Sequence, residues 1–509
     1  MTDIAVPVGK AAGAGMGAEE TAHLKHGTLS LFDSTMIATA SVAPAYSLAA
    51  TMGLMVAAVG LQSPAAVLVS FVPVFFIAMA YYFLNRQDPN CGASYTWISR
   101  TLNPHLGWFT GWVQTAASIL FCAAAPILAG SNTLALLNNL GWISSDAANN
   151  SKLVAFVGFL WLLLVTAMVV RGIRLTANFQ WVMVGIEYVL VLGFSIAAFI
   201  KVAALHPAGS RGFSIDWFNP FQLSGLSGLA AGAVLGVFFF WGWDTAANLN
   251  EETEDGATTP GNAGIISMLV LLVLFMVACS AMQALVPPDV LAKQGANALF
   301  YFGTQVFPAP WSYAIVLAVL ASTVATTQTT LLPATRLTLS MSRDAVFPPV
   351  FGLIHRTWHT PYIGTMIVAA LAVVGILVTT LSSSVNTTFQ GIISNIGVLV
   401  AFYYGVTGIA CAWAFRKALF KSPRILVLAG ILPLIGGIFL FWIGYEVVVS
   451  AGFSQSLPVL ISMAIGIPLL VLTIVLTKSD FFRQKTVSYD IGPNGEIVAS
   501  DAAIESSAA

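Results

Sequence analysis

The sequence predicts an all-α integral membrane protein with twelve transmembrane helices, and three observations lead there. The 509 residues are 58% hydrophobic and 8% charged, whereas a soluble domain carries about 25% charged residues. The apolar residues fall in long runs, each near the roughly 20 residues that span a hydrocarbon core. The runs lack the two-residue alternation of barrel strands, and backbone groups in lipid must be bonded within their own segment, so the runs are helices. A mean hydropathy of +0.86 leaves no room for a soluble domain of any size.

The first run, 31–59, contains "DSTMIATASVAPAYSLAATMG" with Pro44 at its middle. Proline removes a backbone donor and obstructs the carbonyl four residues back, so a break is expected between Ser41 and Tyr46. Runs 65–85 and 107–136 supply the second and third helices, and 153–170 and 176–200, separated by a basic turn, the fourth and fifth. The sixth, 226–250, reads "GAVLGVFFFWGWDTAAN" and places Gly242 at a depth comparable to that of Pro44, with Asp244 close behind. Runs 263–286, 310–340, 361–382, 391–415, 425–446 and 456–477 complete the bundle.

Sixteen of the 20 basic residues fall in alternate connections that include both ends, which predicts that both termini are cytoplasmic in the inner membrane. The stretch "AAGAGMGAEE" has no apolar core followed by a cleavage site, so no removable signal peptide is expected. The polar tail from Ser479 to Ala509 reads as disordered. Cys91, Cys122, Cys279 and Cys411 stand singly, without a CxxC pair or a disulfide framework. The six histidines read as tail or loop residues, so no metal ligands are expected in the membrane. A formal charge of −1 gives no sign of a nucleic-acid partner, and nothing sets an oligomeric state. No phosphate-binding loop and no Ser-His-Asp constellation is present, which argues against ATP-driven pumping within the chain and against an enzyme.

The remaining information is polarity inside the spans, where each polar residue is costly. One proline or glycine in a span reads as a packed kink. Two interruptions five helices apart point instead to inverted repeats whose freed backbone groups line a site at the midplane. The chain then divides into a cytoplasmic tail (1–30), a first repeat (31–203), a second repeat (204–415), two appended helices (416–477) and a second tail (478–509).

Several stretches carry a resemblance. "FFFWGWDTAANLNEETEDGATTPGNAG" (238–264) resembles the sixth helix and following loop of the amino acid/polyamine/organocation (APC) transporters. "NCGASYTWISRTLNPHLGWFTGW" (90–112), "RGIRLTANF" (171–179) and "ATRLTLSMSRDAVFPPVFGLIHRTWHTP" (334–361) are similar to loops of that family, in the expected order. The resemblance implies the five-plus-five inverted-repeat fold of the sodium-coupled leucine transporter, with helices 1 and 6 broken around a small-molecule substrate. It places Ser41, Val42, Ala43, Ala45 and Tyr46 of the first break and Phe238, Phe240, Trp241, Gly242 and Asp244 of the sixth at the substrate. Phe238 falls where an occluding aromatic often stands in the family, although three successive phenylalanines must point several ways. Asp244 lies just past the unwound turn, facing the bundle, as a structural or gating residue or as a direct contact. Glu251 and Glu252 are expected to pair with loop residues such as Arg100 or Arg343.

The first break departs from the family, since "SVAPAYS" replaces the glycine-rich stretch whose amides accept a substrate carboxylate. An amine or polyamine becomes a candidate beside an ordinary amino acid. Several proton-coupled members hold a lysine midway along the fifth helix, and the matching residue here is Glu187. Low dielectric disfavours a charged carboxyl, so Glu187 is a candidate proton site, a structural hydrogen-bonding residue, or a partner for a cationic substrate. In "ASTVATTQTT", Ser322, Thr323, Thr326 and Thr327 could hold sodium or could bond back to their own helix. Gln114 and Asn395 are further cavity candidates or interhelical packing residues. The functional expectation is alternating-access import of an amino acid or small amine, with a proton as coupling ion and no cofactor. The alternatives are a polyamine or organic-cation carrier or exchanger, and a sensor that binds an amino acid without moving it.

Overall fold

The computed structural model describes residues 23–223, 225–380, 385–493 and 495–499. Helices α1 (Leu31–Val42) and α2 (Pro44–Val59) share the first run, α3 (Ser63–Gln87) forms the second, and short α4 (Ser94–Thr101) precedes α5 (Pro104–Asn139). After α6 (Ser145–Ala148), α7 (Ser151–Arg171) and α8 (Ile173–Leu205) turn about Gly172. The sixth run holds α9 (Gly225–Phe238) and the single turn α10 (Thr245–Asn248), and α11 (Thr259–Leu285) follows. Loop helices α12 (Pro288–Gln294) and α13 (Ala298–Val306) lead to α14 (Ala314–Arg343), α15 (Tyr362–Thr380) and α16 (Val385–Ala414). Finally α17 (Pro423–Ile425) opens through a π-helical stretch, Leu426–Ile431, into α18 (Leu432–Ala451) and α19 (Phe453–Thr477).

Among the described residues, nine helical stretches are long and apolar enough to cross a membrane, and Gly228–Phe238 and Tyr362–Val378 are shorter apolar helices. One of the nine, Leu31–Gln87, is 57 residues long, against the roughly 20 that one crossing requires. The chain is thus an all-α, multi-pass membrane protein. Its centre is α14, most of whose length is buried while the outer helices expose leucine, isoleucine and valine. Small residues permit the close crossings, as where Gly130 of α5 and Gly158 of α7 each lie against the other helix's backbone.

The helix ends follow from local chemistry. Ser30 caps α1, accepting from the Asp33 amide while the Asp33 carboxylate accepts from Ser30, a reciprocal capping box. Asn103 caps α5 with Pro104 at the first helical position, so that helix starts earlier than 107. Pro73, Pro126, Pro333, Pro458 and Pro468 remain inside helices, so proline alone does not mark an interruption. The first interruption falls at Ala43, whose φ of 54° and ψ of 64° are left-handed, and Pro44 starts α2 as its first residue.

The sixth run is not helical to residue 250. Helix α9 ends at Phe238, turn-type bonds run from Phe239 to Gly236 and from Phe240 to Val237, and Gly242 has φ 114°. A Cβ on Gly242 would lie 2.6 Å from the Ser41 carbonyl oxygen. Alongside, the Ser41 and Thr245 hydroxyls are 2.8 Å apart, so the two interruptions touch.

The expectation of a disordered C-terminal tail is corrected over its described part. Asp480–Arg483 is a 3-10 turn, and Tyr489–Ile491 pairs antiparallel with Ile497–Ala499. The Val487 amide donates to the Arg100 carbonyl at 2.7 Å, Lys421 meets Asp490 at 2.7 Å, and Phe481 stacks on Tyr95. Polarity averaged over the tail hides the few aromatic residues that anchor it.

Gly242→Ala combines positive φ with a backbone clash, so it is expected to cost about 1–3 kcal/mol. Gly193, exposed on α8 with nothing within 4 Å of an added Cβ, is the control. Thermal unfolding in detergent should show a lowered midpoint for Gly242→Ala and none for Gly193→Ala.

Candidate functional site

The interruptions border a narrow, partly open cavity of about 20 Å³ lined by Ser41, Gln114, Ser118, Trp241, Gly242, Asp244, Thr245, Thr330, Pro333 and Tyr403. Asp244 is 3% exposed and accepts hydrogen bonds from Tyr404 at 2.7 Å and Tyr403 at 3.2 Å. Tyr403 in turn accepts from the Trp241 indole at 2.8 Å, and the Gly242 amide points at Tyr404 from 3.5 Å. Among the described residues no basic side chain pairs with Asp244. The carboxylate is stabilised by phenol donors and not by a counter-charge.

On the other side of the first break, Glu187 of α8 is fully buried. Its Oε1 accepts the Ala45 amide, at the start of α2, and the Ser322 hydroxyl of α14 at 2.8 Å. Ser322 accepts the Tyr46 amide at 3.2 Å, and Thr326 donates to the Ser41 carbonyl at 2.9 Å. The groups freed by the interruption therefore bond to side chains of α8 and α14, as low dielectric demands. The other carboxyl oxygen, Oε2, is buried with no partner.

The structure separates the expected site residues. Ser41, Trp241, Gly242 and Asp244 line the cavity. Ala43 is the interruption itself, and Ala45 and Tyr46 present amides to Glu187 and Ser322. Val42 packs in the core, and Tyr46 lies 6.0 Å from Phe121 and 6.1 Å from Phe238 by ring centroids. Phe239 and Phe240 pack on Phe275, and Phe240 also on Phe71, so of the three phenylalanines only Phe238 turns towards Tyr46. Thr323 and Thr327 donate to carbonyls of their own helix, whereas Ser322 and Thr326 donate to Glu187 and to the Ser41 carbonyl. The Asn395 side chain lies outside the described residues. Ser118, Thr245, Thr330 and Tyr403 also line the cavity and Tyr404 bonds to Asp244, but an isolated hydroxyl or "FYYG" in a span looks like ordinary helix packing in the sequence.

Below the cavity, acidic residues after α10 tie to α14. Arg336 and Glu252, both fully buried, form two hydrogen bonds of 3.0 Å. Glu251 pairs with Arg343 at 2.8 Å and accepts the Cys91 amide. The expected pairing with Arg100 is corrected: that residue meets Asp88 at 2.7 Å, because both flank the loop between α3 and α4. Burial would raise the Glu251 carboxyl, but the Arg343 guanidinium and the Cys91 amide outweigh it and hold the group below its ordinary value of 4.5. A lowered carboxyl stabilises above its unfolded value and loses that contribution as pH falls through the folded value.

Arg336→Ala strands a buried carboxylate and is expected to cost about 3–5 kcal/mol. The pair Arg336→Met with Glu252→Leu should recover most of the lost unfolding temperature. Because the Glu251 contribution is lost as pH falls through about 4.5 and below, Glu251→Gln should leave the pH dependence of stability between about 5.5 and 7.5 unchanged.

Comparison with known proteins agrees with this architecture. The low-affinity putrescine importer PlaP of Escherichia coli K12 is 27% identical over 401 residues, covering 77% of this chain and 82% of its own. The branched-chain amino acid permease BcaP of Lactococcus lactis is 24% identical, covering 72% and 78%. The methylthioribose transporter of Bacillus subtilis is 25% identical, covering 64% and 68%. The amino acid permease family model matches residues 29–476, almost the whole helical bundle around the two interruptions, and the chain therefore belongs to the amino acid permeases of the APC superfamily, as a transporter and not an enzyme.

Proposed function

We propose that the chain is a secondary active transporter that imports an amino acid or small amine across the cytoplasmic membrane by alternating access, coupled to protons. In this reading twelve crossings form repeats 31–203 and 204–415 with 416–477 appended, and both termini face the cytoplasm. The observation that carries it is the contact of two interrupted helices at a cavity bordered by Ser41, Gly242 and Asp244. Half-helices hinged at such interruptions can rearrange around a bound solute while the flanking bundle stays packed.

Proton coupling is assigned to Glu187. It bridges α2, α8 and α14 through Ala45 and Ser322, and one of its oxygens is free of any partner. Neutralising it weakens its hold on the start of α2, which links charge to the position of the half-helix. Ser322, Thr323 and Thr326 are the oxygens that a sodium-coupled cycle would use instead. A polyamine or organic-cation carrier or exchanger is the second reading, favoured by the similarity to a putrescine importer and by the unpaired carboxylate of Asp244.

The test is uptake by proteoliposomes of a panel of amino acids and polyamines, with and without a pH gradient. Glu187→Gln is expected to abolish acceleration by an inward proton gradient while exchange persists. Gradient-driven uptake at the wild-type rate in this variant removes Glu187 from coupling, dependence on sodium moves coupling to Ser322, Thr323 and Thr326, and binding without movement supports a sensor.

A further inference from the structure

The first interruption has no amide left for a substrate carboxylate. The Ala43 amide bonds to Ala40, Pro44 has none, the Ala45 amide bonds to Glu187, the Tyr46 amide to Ser322, and the Ser47 amide to Ala43. The start of α2, which would attract an anion, is already occupied by a carboxylate built into the chain. A substrate carboxylate in the cavity would face Asp244, while the amides that could receive it are held by Glu187 and Ser322, and no basic side chain is paired to Asp244 or Glu187 among the described residues.

The opposite wall is made for a cation. Asp244 lines the cavity and accepts from Tyr403 on one oxygen and Tyr404 on the other, with Tyr81 as a further phenol partner, which leaves part of a carboxylate's four-site acceptor capacity unused. Gln114, 3% exposed, lines the same cavity, and its Oε1 is buried without a partner. An ammonium group brings only donors, so it complements acceptors of this kind. Trp241 and Tyr403, bonded to each other, also border the space, and their rings attract cations.

We infer that this cavity selects an amine without an α-carboxylate: the ammonium sits on Asp244 and Gln114 beside Trp241 and Tyr403, and Glu187 takes the position that an amino acid's own carboxylate would need. The inference rests on the carrier reading above and narrows its substrate class. It accounts for two features together, the side chains that crowd "SVAPAYS" and the acidic residue that has no counter-ion.

Matched pairs isolate the carboxylate: putrescine against ornithine, cadaverine against lysine, and agmatine against arginine. Binding to the purified full-length protein, with uptake in parallel, is expected to favour the amine of at least one pair by about tenfold or more. Asp244→Asn and Gln114→Leu should each weaken that amine by a similar factor, and Asp244→Glu should restore part of it. Glu187→Ala, by freeing the Ala45 amide, should shrink the preference within the pair. Equal or tighter binding of the amino acid in every pair overturns the inference while leaving a carrier. If no member of any pair binds or moves, the carrier reading falls and the inference with it. The wild-type comparison decides even where a variant does not fold.

Discussion

The contact between Gly242 and Ser41 is the constraint on which the rest of the site depends. Two helices are interrupted within the membrane, where an unbonded amide or carbonyl is costly, and each loose end needs a partner outside its own helix. Gly242 lets the breaks close to contact, and Ser41 meets Thr245 across the junction. The remaining freed groups then bond to Glu187, Ser322, Thr326 and Tyr404. A polar cluster of this density survives in an apolar bundle because its members serve one another.

Charge is treated differently at two depths. At the end of the bundle beyond α10, carboxylates are matched: Glu252 with Arg336, Glu251 with Arg343, and Asp88 with Arg100. At the breaks, Glu187 and Asp244 have hydroxyl and amide partners but no counter-ion among the described residues. A matched pair holds two elements in register, whereas an unmatched carboxylate is an incomplete interaction that a proton or a cationic solute can complete.

The matched region also joins elements that are far apart in the chain. The amides of Thr28 and Leu29 donate to the Glu252 carbonyl, and Leu29 bridges Thr253, so the approach to α1 and the exit from α10 are tied together. Arg336 links that unit to α14. The C-terminal segment holds a different set, the α4 end through the Val487 contact with Arg100 and the loop after α16 through the Asp490 contact with Lys421. This end of the bundle therefore has two separately fastened groups.

The solvent class, the apolar runs and the two weak points could be read from sequence, because composition and the length of an apolar run are local properties. Pro44 among small residues and Gly242 before Asp244 announce their own backbone trouble. Partner choice could not be read this way. Successive residues on a helix differ by about 100° in direction, so "FFF" does not reveal that Phe238 turns to Tyr46 while Phe239 and Phe240 turn to Phe275. Glu187 meets Ala45 across 142 positions, and Asp244 meets Tyr404 across 160. Which helix faces which is set by packing of the whole bundle, and only that packing decided that one carboxylate seals the first break while the other is left to face the cavity.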